Sequence, residues 1–374
     1  MYKNRKILTL WAVMALIAIT GWLGCAAKTS VSRIKPAEIS LGGIRTLALL
    51  KFEGRFGETV RSDFYNKLSA VPHFNLIDIS KTNALDQVIY DQVDDPRFFP
   101  DLEDLHADGV ITGRVTSNIN DIRGRDQVQM QEGTGRYKKE KNIFGKWVDV
   151  EIKKTVLKPV PYVIRQASLT TNFKVFNPKT KQIIATGKVT ENYNQKFGGD
   201  KEYALSFLGG MKLSKLPAPN QTLNELSAKV AARLVAKISP TEIVKDVTFD
   251  DGSKYGVGIG GHKLVKRGIE FAKRGVWEEA MEIWQDVIKA EPNNSAAHYN
   301  LGVAYESFGA LKNLEIARSM YKKAARYGDN KLYIEAIARV QAAIKDYRKY
   351  EEQKNLLKQT PVKKTLEEKG VRIY

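Results

Sequence analysis

Hydrophobic positions along this chain fall into runs whose period changes several times. Ile7 to Leu23 contains no charged side chain and follows a short basic stretch, Lys3, Arg5 and Lys6. Ala26 to Leu41 is polar with isolated apolar positions, which predicts a flexible tether. Ile44 to Phe52 is nearly continuous in apolar residues, as in a strand buried on both faces. After the loop Glu53 to Gly57, residues Val60, Phe64, Leu68 and Val71 recur at helical spacing and share one face. Phe74 to Ile79 reads as a second strand and completes a βαβ unit, for which a right-handed crossover is the rule. A helix is expected over 81–90 and a strand through 108–115. The charged stretch 124–161 has no clear period and is expected to be irregular. Ala167, Leu169, Thr171, Phe173 and Val175 then alternate with polar neighbours, Asn177-Pro178-Lys179-Thr180 supplies a turn, and Ile183, Ala185 and Val189 share a face of a return strand. Leu223, Leu226, Val230, Leu234 and Ile238 form a helical stripe that Ser239-Pro240 ends.

From His262 onward the period is helical. The pattern therefore predicts an α+β or α/β N-terminal domain with a mixed sheet, followed by an all-α helical-repeat domain. Its boundaries are a leader over 1–24, a tether over 25–41, the sheet domain over 42–248, a Gly-rich hinge over 249–261, the repeats over 262–350 and a charged tail over 351–374. A chain of 374 residues has room for about two domains.

Three stretches resemble known families. Gly21-Trp22-Leu23-Gly24-Cys25-Ala26-Ala27 resembles the bacterial lipobox, with Trp22 where that motif usually has Leu. With the basic stretch and apolar run before it, the resemblance implies export, removal of residues 1–24 and lipid on Cys25. By resemblance to known sorting rules, Ala26 in place of an aspartate implies the outer membrane; the sequence leaves its face open, and the periplasmic one is the expectation. The alternative is an uncleaved anchor, since 17 charge-free residues approach the length of a spanning helix. Leu47-Ala48-Leu49-Leu50-Lys51-Phe52, the short gap to a helix, Phe74 to Ile79, Ala107-Asp108-Gly109-Val110-Ile111-Thr112-Gly113 and the late hairpin resemble the curli-secretion lipoprotein family. These motifs are structural and imply no catalytic residue.

His262 to Tyr327 is similar to two tetratricopeptide repeats. Gly268, Phe271, Ala280, Trp284 and Pro292 match the first, and Leu301, Gly302 and Tyr305 begin the second. Ala317, Tyr321 and Ala324 fit only after about three extra residues, expected in the turn over 310–314. Leu332 to Tyr350 is expected to cap the last repeat.

Composition narrows the chemistry. Cys25 is the only cysteine, so neither an internal disulfide nor a thiolate metal cluster can form. The formal charge is +18, of which Lys3, Arg5 and Lys6 would leave with the leader. The remaining positive charge is scattered, as on a solvated surface, and suits anionic headgroups, acidic glycans or acidic proteins. The export signal argues against nucleic acid.

Gly256-Val257-Gly258-Ile259-Gly260-Gly261 satisfies G-x-G-x-x-G, but repeat helices follow it where a dinucleotide site needs a parallel strand, so it reads as a hinge. His73, His106, His262 and His298 lack metal-ligand spacing, and the loop over 54–59 lacks the lysine of a phosphate cradle. Asp94-Asp95 and Asp250-Asp251 read as turn or cap residues. No enzyme activity and no cofactor are expected.

The expected function is that of a lipid-anchored envelope adaptor whose repeats present a groove to a short peptide or helix. Tyr299 and Tyr305 are its candidate contact residues. Lys263, Lys266 and Arg267, with Lys322, Lys323 and Arg326, would favour an acidic partner. Two alternatives stand beside it, a lipoprotein activator of a cell-wall synthase and a homo-oligomeric curli-type secretion channel. For the channel, Val148, Val150, Ile152 and Val156 suggest a lipid-facing strand, but Lys154 interrupts them at a cost of about 2–4 kcal/mol, and 136–141 has no apolar face.

Overall fold

Two strands distant in sequence, β1 (Lys28–Lys35) and β7 (Thr241–Thr248), pair antiparallel with one another. A separate mixed sheet holds β2 (Thr46–Glu53), β3 (Asn75–Asp78), β4 (Gly109–Lys141), β5 (Trp147–Phe176) and β6 (Ile183–Gly198), in the order β3-β2-β4-β5-β6. The computed structural model describes residues 27–78, 90, 106–200, 211–253 and 262–359. They belong to two units, one spanning 43–239 and the other combining 1–42 with 240–374.

In the sheet unit, β2 runs parallel to β3 and β4, and β4, β5 and β6 are antiparallel neighbours. Helix α1 (Gly57–Ser69) connects β2 to β3 and packs beside α2 (Pro219–Ile238) on one sheet face. The predicted stripes explain this, because Val60, Phe64 and Leu68 of α1 and Leu226, Val230 and Leu234 of α2 are all buried. Val71 lies past the end of α1 and is half-buried. Glycine is required at position 54, where φ is +96° and a Cβ would meet the Val115 carbonyl oxygen at 2.0 Å.

One buried ion pair ties this unit together. Arg165 of β5 is 2% exposed and grips Asp121 of β4 in two hydrogen bonds, Nε to Oδ1 at 2.7 Å and Nη2 to Oδ2 at 2.6 Å. Its Nη1 donates to the Pro217 carbonyl at the start of α2. The Arg165 hydrogen bonds hold the Asp121 carboxyl below its usual range.

Three expectations need correction. The stretch 124–161 is not irregular, because β4 and β5 pair through it as far as Lys141 and Trp147, with one register shift between Gly133 and Tyr137. Past the end of β6 the described ribbon has two strands, and beyond Val128 and Val160, which are buried near its base, it has no buried face. Beyond those two residues, backbone hydrogen bonds and exposed cross-strand polar contacts such as Gln131 with Thr155 keep it extended, so nothing requires its side chains to alternate in polarity. The stretch 25–41 is not wholly a tether either, since it contains β1. That strand's partner, β7, lies some 200 residues away, and a local pattern carries no sign of such pairing. The sheet domain therefore stops at residue 239 rather than 248. Ile79, all but Tyr90 of the helix expected over 81–90, Asp94-Asp95 and Gly256 to Gly261 lie outside the described residues.

The second unit is a run of helices, α3 (Lys263–Lys273), α4 (Trp277–Ala290), α5 (Ser295–Ser307), α6 (Leu311–Tyr327) and α7 (Lys331–Gln359). The expected tail from 351 begins instead as the last turns of α7. Gln353 is buried there and makes two hydrogen bonds to the Ala37 backbone, from its Nε2 to the carbonyl at 3.0 Å and from the Ala37 N–H to its Oε1 at 3.1 Å.

Replacing Arg165 with Met should lower stability by about 2–3 kcal/mol, because Asp121 and the Pro217 carbonyl lose their donor. The depressed Asp121 pKa makes its stabilising contribution whole above about pH 4 and lost on acidification. Urea midpoints at pH 7 and pH 3.5 should therefore converge in Arg165→Met relative to the unaltered chain.

Candidate protein-interaction face

The helical unit is assembled by small residues that let aromatic rings close on the neighbouring helix. A Cβ at Gly268 of α3 would come within 2.4 Å of Trp284 Nε1 on α4, and one at Gly302 of α5 within 2.7 Å of Tyr321 on α6. Trp284 is fully buried and donates to the Val265 carbonyl at 3.2 Å. His262 caps α3 by accepting from Val265 N–H, and Asn294 caps α5 by accepting from Ala297 N–H at 3.0 Å. Gly275 and Gly309, 34 residues apart and both at positive φ, precede α4 and α6 at equivalent places. The extra residues of the second repeat therefore do not lie in the turn over 310–314. They lengthen the helix, α6 having 17 residues against 14 in α4.

A partner groove would be expected on the layer formed by α3, α5 and α7, and the chain's own β1 packs against all three. Val31, Val247 and Phe249 belong to the same core as the helices, and the Phe249 ring lies 6.0 Å from that of Trp284. The segment after β7 is fixed by buried polar contacts. Asn300 of α5 accepts from Asp250 N–H at 3.0 Å and donates to the Asp250 carbonyl at 2.6 Å. The Asp250 carboxylate accepts from Tyr333 Oη at 2.5 Å, Asn330 Nδ2 at 3.2 Å and Gly252 N–H at 2.8 Å.

The predicted contact residues separate under this arrangement. Tyr299 is 1% exposed, with its hydroxyl donating to the Thr248 carbonyl at 2.9 Å, so it holds the ribbon and offers no surface to a partner. Tyr305 is half-buried against the core. Lys263 and Arg267 of α3 are exposed, and Lys266 lies 3.7 Å from Asp251. Lys322, Lys323 and Arg326 are exposed on α6. Helix α3 is in the layer that β1 covers, whereas α6 packs between α5 and α7 on the other layer, so the two basic groups do not converge. Cys25 lies outside the described residues.

Sequence reasoning missed the buried polar groups that close the face. Glu306 accepts two hydrogen bonds from Arg339, at 2.8 and 2.7 Å, and one from Tyr321 Oη at 2.5 Å. Burial works against the charged form of Arg339, but these bonds and the Glu306 charge outweigh it and push its pKa up. Between the ribbon and α7 remains a cavity of about 370 Å³ lined by Val31, Arg33, Ile243, Glu335 and Arg339. One signal was available. Asn300 sits inside the largely apolar stretch from Ala296 to Tyr305 and Glu306 directly follows it, positions where an unpartnered polar group would be costly.

Burial pushes the Tyr299 hydroxyl up to about 12, and raises Tyr321 and Tyr333 as well. All three are neutral in both states below pH 10. As pH rises from 10 towards 12 the unfolded chain ionises first, and the stabilisation they provide is lost. Tyr299→Phe should cost about 1 kcal/mol at pH 8, because Thr248 loses a donor, and should show a smaller further loss of helical circular dichroism between pH 10 and 12.

Residues 268–309 match the tetratricopeptide-repeat family model. None of the curated proteins matches the chain in sequence. Among solved structures, the PelC dodecamer of Paraburkholderia phytofirmans is 11% identical, with 56% of this chain and 98% of that one covered and a TM-score of 0.23. A neuraminyllactose-binding hemagglutinin homolog of Helicobacter pylori is 10% identical, with 55% and 90% covered and a TM-score of 0.28. At these scores neither carries an argument about this chain.

Proposed function

We propose that the chain is a non-enzymatic adaptor of the cell envelope, held at the outer membrane by lipid on Cys25 and binding a protein partner through its helical repeats. The observation that carries this reading is the repeat match over 268–309, since repeats of this class suggest protein–protein interaction. The partner would meet the layer that β1 leaves open, where Lys322, Lys323 and Arg326 stand exposed on α6. Three cations on one helix favour an acidic surface and would steer its approach.

The leader and the Cys25 context support the anchor. Ala27 already accepts a hydrogen bond from Phe249 N–H at 2.8 Å, so a lipid on Cys25 would be joined to the ribbon by about 10 Å of chain.

The regular β4–β5 ribbon favours a second reading, a secretion-channel subunit. It ranks below the adaptor because Lys138 pairs with Val150 and Glu140 with Val148, which puts charges on the same face as the apolar residues. The other face carries Lys139, Asp149 and Glu151. Neither presents the apolar stripe of about 9–11 residues that a spanning strand needs.

A photo-crosslinking residue at Lys323 should capture a discrete partner in living cells, whereas one at Tyr299 should give none. Lys322→Glu/Lys323→Glu/Arg326→Glu should cut the Lys322-to-Arg326 face's adducts, read from a probe at the neighbouring Arg318, at least tenfold. Capture at Tyr299 and not at Lys323 would mean that the ribbon opens to admit the partner. Cys25→Ser should abolish lipid incorporation, and persistent acyl labelling of that variant would rule out Cys25 as the anchor.

A further inference from the structure

The β4–β5 ribbon ends in a locked turn that holds apolar side chains away from the protein. Asn142 N–H donates to the Lys146 carbonyl and Gly145 N–H to the Asn142 carbonyl, both at 2.9 Å. Asn142 Oδ1 accepts from Phe144 N–H and Lys146 N–H, both at 3.0 Å. Gly145 takes the positive φ of +78° that closes the turn. Held this way, Ile143 is 94% exposed and Phe144 81%, with Trp147 at 65% just behind them. Such large adjacent apolar groups in water call for a partner.

The surroundings indicate what kind. Lys141 places its ammonium 5.1 Å from the Trp147 ring centroid. Lys139, Lys141 and Lys146 are exposed and make no ion pair among the described residues, while Lys138 is paired with Glu140. Roughly 15 residues of each strand continue past the end of β6, about 50 Å at the rise of a strand. A two-stranded ribbon of that length is marginal in water by itself. An apolar tip with an indole behind it and unpaired lysines around it is the chemistry of insertion at a membrane interface.

We propose that this tip docks into the headgroup layer of an anionic bilayer. Ile143, Phe144 and Trp147 enter the interface, and Lys139, Lys141 and Lys146 meet anionic headgroups. The charges on both ribbon faces keep the rest of the arm out of the hydrocarbon core. The contact is separate from any lipid on Cys25 and from the repeat face.

The test uses the full chain carrying Cys25→Ser, so that Phe144→Cys supplies the only thiol for an environment-sensitive fluorophore. A matching label at Lys179→Cys, in the exposed turn after β5, reports on chain that should stay in water. Both are reconstituted in phosphatidylcholine vesicles with and without about one-third phosphatidylglycerol, each containing lipids spin-labelled near the headgroup or deep in the acyl chain. The expected result is a blue-shifted emission at position 144, quenched by the shallow label in anionic vesicles and at least tenfold weaker in neutral ones. Lys139→Glu/Lys141→Glu/Lys146→Glu should abolish it, and 1 M salt should weaken it with the lysines intact. The label at position 179 should remain aqueous throughout. An aqueous signal at position 144 in both vesicles would overturn the proposal and leave the tip to a protein partner. Quenching by the deep label in both lipids would overturn it in favour of a spanning hairpin.

Discussion

Asp250 brings a backbone N–H, a carbonyl and a carboxylate into the core of the helical unit, where each left unpaired would cost more than a typical hydrogen bond returns. Asn300 satisfies both backbone groups, and Tyr333, Asn330 and Gly252 satisfy the carboxylate. Much else follows from that fixed point. It sets the path of the chain leaving β7, which places Phe249 against Trp284 and brings the Thr248 carbonyl under Tyr299. With β7 fixed, its antiparallel register fixes β1, and β1 in turn covers α3, α5 and α7. The face a repeat protein would be expected to offer is thus filled by strand from the same chain.

The described residues contain two long two-stranded pairings, and they meet opposite conditions. The β1–β7 ribbon rests one face on helices, so Val31 and Val247 are buried and the pairing gains apolar burial along with its backbone bonds. The outer part of β4–β5, beyond Val128 and Val160, has no such support and keeps its apolar side chains exposed at the tip. A ribbon with a covered face needs nothing further. One with exposed apolar groups at its tip is incomplete until something covers them, which is why the two are assigned different roles.

What the sequence disclosed divides along the same physical line. Stripes that bury against a helix or sheet were legible, because burial imposes a period. Val60, Phe64 and Leu68 placed α1, Leu226, Val230 and Leu234 placed α2, and Gly268 with Trp284 placed the first repeat. The outer β4–β5 ribbon was not legible, because beyond Val128 and Val160 no buried face filters its residues. Strand β1 was missed because its pairing spans most of the chain and only Val31 marks it as buried. At the candidate site, the basic residues of α6 were found as surface positions, whereas Tyr299 was mistaken for one. An aromatic at a repeat position looks the same whether the groove is open or filled. Asp250, Asn300 and Gln353 matter through partners distant in sequence, which composition and spacing do not display.

The position of this polar cluster bears on anchoring. Lys28 pairs with Thr248, so the N-terminal end of β1 and the C-terminal end of β7 lie together. If lipid on Cys25 holds the chain to a membrane, any pull arrives at that end of the ribbon. A pull applied there would open an antiparallel pair one step at a time, a weaker geometry than shearing many bonds at once. Yet this is where the hydroxyl of Tyr299 holds Thr248, the Phe249 N–H holds Ala27, and the Asp250 cluster follows within two residues. At the other end, Gln353 holds Ala37 two residues past β1. Buried hydrogen bonds with several partners resist stepwise opening, because releasing any one exposes groups that the others still confine. The arrangement therefore suits a ribbon that must stay closed while tension enters at its first residue. On this view the filling of the repeat face and the strength of the anchor are two consequences of the same set of contacts.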